Sequence, residues 1–279
     1  MNATNIGRRV MDAANDYRYK RFTTSLLFRD LRFHKDAARP GDPFPAFDLV
    51  TTVGDRGVNN DVFGDKPVLF IFGSMTCPMT ASAMPFLLQV HAEFGSRVDF
   101  VMLNVREAHP GEHFTQPENM ENKLEHARAL KEFFDIPWTV AADNVDGDLH
   151  RALDPKPNSA FLSNSDQVIV FRSLWASDKI ALRHALESVV DGRNLDQSES
   201  QALIGPVSRA MGHVPEVMER AGPQAVKDLW RAGLPMALAG RIATFFSPLS
   251  PDQRGLAAVL TLAVLMLAML GIIGAWFLA

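Results

Sequence analysis

Apolar positions along the chain fall either into short solid runs or into helical spacing. Val68-Leu69-Phe70-Ile71-Phe72 is an unbroken apolar run, the pattern of a strand buried on both faces of a central sheet. Beyond it Met84, Leu87, Leu88, Val90 and His91 recur close to helical spacing, which predicts a helix from Pro78 to Phe94 with a kink at Pro85. Val98 to Val105 reads as the next strand and Asn119 to Phe134 as the next helix. Trp138 to Ala141 is then a short strand and Asp146 to Leu153 a short helix. Ala160 to Ser163 and Val168 to Phe171 form a hairpin around Asn164-Ser165-Asp166, and a last helix, Asp178 to Val190, stops at Asp191-Gly192. Upstream, Pro40-Gly41-Asp42-Pro43 marks a domain start, Phe44 to Val50 is extended, and Val53 to Gly57 reads as a hairpin turn.

Strand, helix and strand, followed by a hairpin and a helix, is the thioredoxin-like order, so residues 40–192 read as an α/β domain of that kind. A right-handed crossover puts the residues after Phe72 at the C-terminal end of a central strand, where such sheets carry their sites. Residues 1–39 form a basic arm in which Arg8, Arg9, Arg18, Lys20, Arg21, Arg29, Arg32 and Lys35 alternate with Tyr17, Phe22, Leu26, Leu27, Leu31 and Phe33. Two readings of the arm stand: it packs on its own domain, or it docks on a membrane surface or partner. In residues 193–254 Gly205-Pro206, Gly222-Pro223, Gly233 and Ser247-Pro248-Leu249-Ser250-Pro251 cut short helical pieces without clear strands, which reads as an extended helical neck near a membrane.

From Gly255 to Ala279 no residue is charged. At roughly 1.5 Å per helical residue this run exceeds the roughly 30 Å hydrocarbon core of a bilayer, which predicts one C-terminal transmembrane helix with Trp276 as an interfacial anchor. Phe245-Phe246, just before the span, is placed to dip into the interface. The N-terminus has no apolar segment behind Arg8-Arg9, so a signal peptide is not expected. Arg241 and Arg254 precede the span and no charge follows it, which puts the soluble part in the cytoplasm. The expected partner is membrane lipid. Ala268, Gly271 and Ala275 set small residues along one face of the span, which would also let other membrane subunits approach.

Composition adds little: 47% apolar, 22% charged and a net charge of −4 describe a globular chain and give no reason to expect nucleic-acid binding. The cysteine count changes the picture more. Cys77 is the only cysteine, so an internal disulfide is excluded and any sulfur chemistry is one-thiol chemistry. It lies in Gly73-Ser74-Met75-Thr76-Cys77-Pro78, between the apolar strand and the helix, where the helix N-terminus is expected to lower the thiol pKa. The loop after the second strand reads Arg106-Glu107-Ala108-His109-Pro110. A Glu and a His two residues apart leaving a strand point to one side, so both are expected to reach the thiol and move protons for it. A metal site from His109, Glu112 and His113 matches no closed zinc spacing, and no metal or cofactor is expected.

Gly-Ser-x-Thr-Cys-Pro followed about 30 residues later by Glu-Ala-His-Pro resembles the iodothyronine deiodinase family and its bacterial, cysteine-containing relatives. The resemblance covers roughly Pro40 to Trp175 and extends to Gln116-Pro117, to Asp143–Gly147 and to Phe161. It implies a thioredoxin-like fold with Cys77 as the catalytic chalcogen, Glu107 and His109 as the acidic and imidazole site residues, and Ser74 and Thr76 as polar residues of the site loop. The chain also departs from the family. Met75 stands where many deiodinases have a second cysteine, and the anchor is C-terminal where the family's is N-terminal. The family's later histidine falls on Gln116 or Pro117; His126 lies inside the next helix and does not take over that role. Substrate-contacting aromatic and arginine residues after the hairpin are not evident, although Arg172 is near.

The expected function is therefore a membrane-anchored one-cysteine thiol oxidoreductase acting on a peroxide or a halogenated aromatic. Ser74 and Thr76 orient the thiolate, Glu107 and His109 handle the proton, and an external thiol restores Cys77. The competing expectation is a catalytically silent accessory or assembly subunit of a membrane complex, held by the arm, neck and tail.

Overall fold

The computed structural model describes residues 17–58, 62–195 and 197–278. Its sheet is built around β3 (Val68–Gly73), every residue of which is buried. Strand β4 (Asp99–Asn104) pairs parallel on one side of β3 and β6 (Ala160–Ser163) antiparallel on the other. Outward from β4 come β5 (Thr139–Ala142), β1 (Asp48–Thr51) and β2 (Arg56–Val58). Outward from β6 come β7 (Ile169–Ser173) and β8 (Glu199–Ser200), giving the order β2-β1-β5-β4-β3-β6-β7-β8. The parallel β5-β4-β3 core beside an antiparallel hairpin is the thioredoxin-like arrangement expected.

The period of two along β3 divides the interior. Leu69 and Ile71 enter the cluster that helices α2 (Pro78–Phe94), α3 (Met120–Phe133) and α5 (Lys179–Val190) complete on one face. Val68, Phe70 and Phe72 enter the opposite cluster, together with Phe33 of the arm, Phe44 and Phe47 of the segment before β1, and the short helix α4 (Asp148–Leu153). Helix α2 runs through Pro85, which lies on its exposed side. Cys77 is its N-cap residue, in extended backbone geometry.

Residues 193–254 do not form the extended neck that their Gly-Pro punctuation suggests. They fold into α6 (Ile204–Ala210), α7 (Val214–Ala221), α8 (Pro223–Ala232) and α9 (Leu234–Ala243), and they also carry the short strand β8. The cause is amphipathicity: Val214, Val217, Met218 and Ala221 recur at i, i+3, i+4 and i+7 and bury one face of α7 in the Phe70–Phe72 cluster. The described part of the arm does the same. Tyr17, Tyr19, Phe22 and Leu26 are buried, helix α1 (Thr24–Asp30) is capped by Thr23, and Arg21 grips the buried Asp228 of α8 with bonds of 2.6–2.9 Å. Arg8 and Arg9 lie outside the described residues.

A short 3-10 turn, Thr244–Phe246, with Phe245 exposed, leads to α10 (Pro251–Leu278). From Pro251 to Ile272 this helix is long and apolar enough to cross a membrane. Its first turns are tied to the domain. Gly255, Ala258, Val259 and Leu262 form a seam against the core, and Gly255 and Gly212 sit so close to facing backbone that a Cβ on either would collide with it. Asp252 accepts from Ser82 of α2 (3.1 Å), Lys179 (2.8 Å) and His213 (3.0 Å). Ala268 and Gly271 are exposed, whereas the side chains of Ala275 and Trp276 lie outside the described residues.

Candidate active site

Cys77 is 2% exposed at the start of α2. The thiol makes no capping hydrogen bond to the helix. The amides of Met79 and Thr80 and the Thr80 hydroxyl nevertheless lie where they favour a thiolate, as a helix N-terminus should. Burial outweighs them and pushes the thiol from its ordinary 9.0 up to about 11. The sulfur is thus a protonated thiol at neutral pH, contrary to the lowered pKa expected from its position on the helix.

Glu107 and His109 do not converge on the sulfur. The backbone bends at Arg106, Ala108 and His109, so strand alternation stops at the end of β4 and the two side chains part. The Glu107 carboxyl is fully buried behind the Cys77 loop: Oε2 accepts from the Thr76 amide (3.0 Å) and hydroxyl (2.7 Å), and Oε1 meets His126 Nδ1 at 2.9 Å. Gln116 clasps the Glu107 backbone from both sides, receiving its N–H at 2.9 Å and donating to its carbonyl at 2.8 Å.

The two loop hydroxyls are spent on joining the loops. Thr76 Oγ1, while donating to Glu107, accepts from the His109 amide at 3.1 Å. Ser74 Oγ accepts from the Ala108 amide at 3.3 Å. The hydroxyl acting on the thiol is that of Thr80, which spacing alone had not singled out. His126 is likewise drawn in, not as a group on the thiol but as the partner of Glu107, nineteen residues away in sequence (126 − 107).

His109 does reach the sulfur's surroundings. Together with Cys77 it lines a cavity of about 60 Å³, closed by Phe22, Asp30, Trp175 and Met236 among others. Its ring lies 4.2 Å from that of Phe22, its Nδ1 has no hydrogen-bond partner, and burial lowers its pKa to about 4, so the ring is neutral at pH 7. Asp30, from α1, is the other polar wall. Its Oδ1 is buried and unpartnered, and desolvation raises its carboxyl to about 6 against the pull of Arg106, Lys156 and Arg29. Nothing in the sequence marked Asp30: the arm had to fold across the sheet end before it could face Cys77.

Other candidates lie elsewhere. His113 is on the surface against the Arg220 carbonyl, and Glu112 accepts from the Gln224 amide at the start of α8. Among the described residues no group of three or more His, Cys, Asp or Glu is arranged to hold a metal ion. Arg172 is buried, bonded to Glu199 (2.6 Å) and to the Ala38 carbonyl (2.6 Å), and stacks over Phe33 at 4.2 Å; it fastens the arm to the sheet edge.

The family model of iodothyronine deiodinase matches residues 11–185. Type II iodothyronine deiodinase of Fundulus heteroclitus is 27% identical over 122 residues, 39% of this chain and 46% of that protein. The Homo sapiens protein of the same name is 29% identical over 102 residues, 32% of this chain and 37% of that protein. The chain thus spans less than half the length of these curated relatives. Among solved structures, an uncharacterized conserved protein from Geobacillus kaustophilus superposes with a TM-score of 0.48 at 18% identity, over 58% of this chain and 88% of that one. Peroxidoxin BcpB from Mycobacterium tuberculosis gives 0.42 at 15% identity, over 56% and 97%. Likeness at that level carries no argument about chemistry.

Proposed function

The chain belongs to the iodothyronine deiodinase family, and from that premise we propose that it is a membrane-anchored, one-cysteine thiol oxidoreductase whose substrate is a peroxide. The observation that carries this reading is the cavity shared by Cys77, His109 and Asp30. Its volume of about 60 Å³ suits a peroxide group, whereas roughly 150 Å³ is the size of an apolar cavity that takes up a benzene ring. An iodinated aromatic therefore requires the walls to part; a peroxide does not.

In this reading Asp30, the stronger base of the two, takes the thiol proton. His109 orients the peroxide through its free Nδ1. The thiolate attacks one peroxide oxygen, the O–O bond breaks, and the leaving oxygen collects the proton, so Cys77 becomes a sulfenic acid. Two equivalents of a soluble thiol return it to the thiol, releasing a disulfide and water. Glu107, with Thr76 and His126, is a positioning group that holds the His109 loop against the Cys77 loop. The membrane helix keeps the domain on the cytoplasmic surface.

A specific observation favours a second reading, that of a silent accessory subunit: a thiol 2% exposed and raised to about 11 is poorly prepared to react. Single-turnover assays on the reduced full chain in detergent separate the possibilities. The peroxidase reading expects one equivalent of hydrogen peroxide or organic hydroperoxide to be consumed, with loss in Cys77→Ser. Iodide release from a diiodinated phenol, without peroxide consumption, contradicts it in favour of dehalogenation. Inertness to both supports the accessory role, which in turn requires co-purification with other membrane subunits.

A further inference from the structure

The walls of the Cys77 cavity change character from base to mouth. The buried polar lining is Asp30 and His109; the half-buried lining, which forms the mouth, is Pro157 and the four side chains Leu27 and Leu31 of the arm, Val207 of α6 and Met236 of α9. No charged side chain stands among these four. The mouth is also next to the membrane helix. Val259 and Leu262 of α10 pack on the same apolar cluster as Cys77, Val207 and Met236. On the opposite side of α10, level with that seam, Leu256 is 40% and Leu260 68% exposed. Its bilayer-facing surface therefore begins beside the domain and not beyond it. Leu234 and Leu238 of α9, the helix packed beside α10, are exposed as well, at 50% and 36%, and the exposed Arg241 follows on the same face, where a headgroup phosphate would meet it. Burying Leu256 and Leu260 in lipid brings this flank, and the cavity mouth with it, to the level of the lipid headgroups.

We propose that the Cys77 cavity draws its substrate from the bilayer, taking the hydroperoxide group of a fatty-acyl lipid hydroperoxide while the acyl chain stays in the mouth formed by Leu27, Leu31, Val207 and Met236. This rests on the peroxidase reading above. The reaction is balanced: the Cys77 sulfur bonds to the terminal peroxide oxygen and is oxidised to the sulfenic acid. The O–O bond breaks, and the lipid alkoxide receives the proton given up by the thiol and leaves as the alcohol. A soluble thiol then reduces the sulfenic acid from the water side. Selection follows from the route: the lipid hydroperoxide is concentrated in the bilayer beside the mouth and its acyl chain enters apolar surroundings without crossing water, whereas hydrogen peroxide arrives dilute from the aqueous side.

The test uses the full chain in phosphatidylcholine vesicles, with sulfenic acid at Cys77 trapped by dimedone and read by mass spectrometry. The oxidants are phosphatidylcholine hydroperoxide in the vesicle and hydrogen peroxide in the buffer, at equal total concentration. The expected result is oxidation by the lipid hydroperoxide at least about tenfold faster, and a ratio of the two rates that falls about tenfold in Met236→Lys, which charges the mouth. Val53→Lys, which puts the same charge on an exposed turn that is no part of the cavity, serves as the control and keeps the native ratio. Hydrogen peroxide reacting as fast as the lipid hydroperoxide, or a ratio unmoved by Met236→Lys, overturns the bilayer route while leaving the peroxidase reading standing. No oxidation by either peroxide overturns both.

Discussion

Replacing Thr76 with valine tests the joint between the two site loops. The change keeps the shape of the side chain and removes its oxygen. That oxygen donates to Glu107 at 2.7 Å and accepts from the His109 amide at 3.1 Å, and both contacts are buried. Losing the bond to the Glu107 carboxyl costs about 2 kcal/mol, and stranding the His109 amide costs about 1 kcal/mol more, for a total of about 3 kcal/mol. Thr76→Ser retains both bonds and loses only a methyl group, so it should cost about 1 kcal/mol. Urea unfolding of the full chain in detergent micelles, followed by tryptophan fluorescence, measures both variants at constant slope. If valine and serine cost the same, or valine costs under about 1 kcal/mol, the loops are not held together by this hydroxyl.

His109, with its pKa lowered from 6.5 to about 4, stays neutral in the fold where the unfolded chain takes up a proton. Its contribution is complete above pH 6.5 and is lost as the pH falls toward 4, up to about 3 kcal/mol, so the acid slope of stability in His109→Gln should be shallower than in the native chain. The Cys77 thiol, raised from 9.0 to about 11, should alkylate with iodoacetamide about 100-fold more slowly in the fold than in urea at pH 8, with a native midpoint near 11; a midpoint at or below 9 refutes its desolvation. Gly255→Leu forces a side chain into the backbone of α6 and should detach α10, seen as new proteolysis between residues 204 and 250, whereas Gly271→Leu, with open space around it, should be tolerated.

What could be read from the chain and what could not divide along physical lines. Val68 to Phe72 is apolar without a break, short, rich in β-branched and aromatic residues and closed by Gly73, the pattern of a strand covered on both faces, so the sheet centre and the helix opening at Pro78 are legible. Asn119 and Asp178 cap α3 and α5 through their own side chains, which is local chemistry and shows in sequence. The site was only partly legible because it depends on long-range folding. Glu107 turns away because the chain bends after β4, a departure from strand geometry that no spacing rule carries. Asp30 and Thr80 matter only once the arm and the first turn of α2 enclose the sulfur. The helical pieces of residues 204–243 are legible between their Gly and Pro, but their packing on the domain is not, because punctuation between compact helices looks the same as punctuation in an extended segment. The raised thiol pKa is hidden with that packing, since Val207, Met211 and Met236 line the cavity around Cys77.

The most direct test of the central claim is the fate of the Cys77 sulfur itself. The reduced full chain in micelles is exposed to a small excess of organic hydroperoxide, with dimedone present, and the peptide carrying Cys77 is weighed. The account predicts a single dimedone adduct at Cys77, formed more slowly in Asp30→Asn and His109→Gln than in the native chain. A thiol that stays reduced in the fold, under conditions that oxidise the same cysteine in urea, would contradict it.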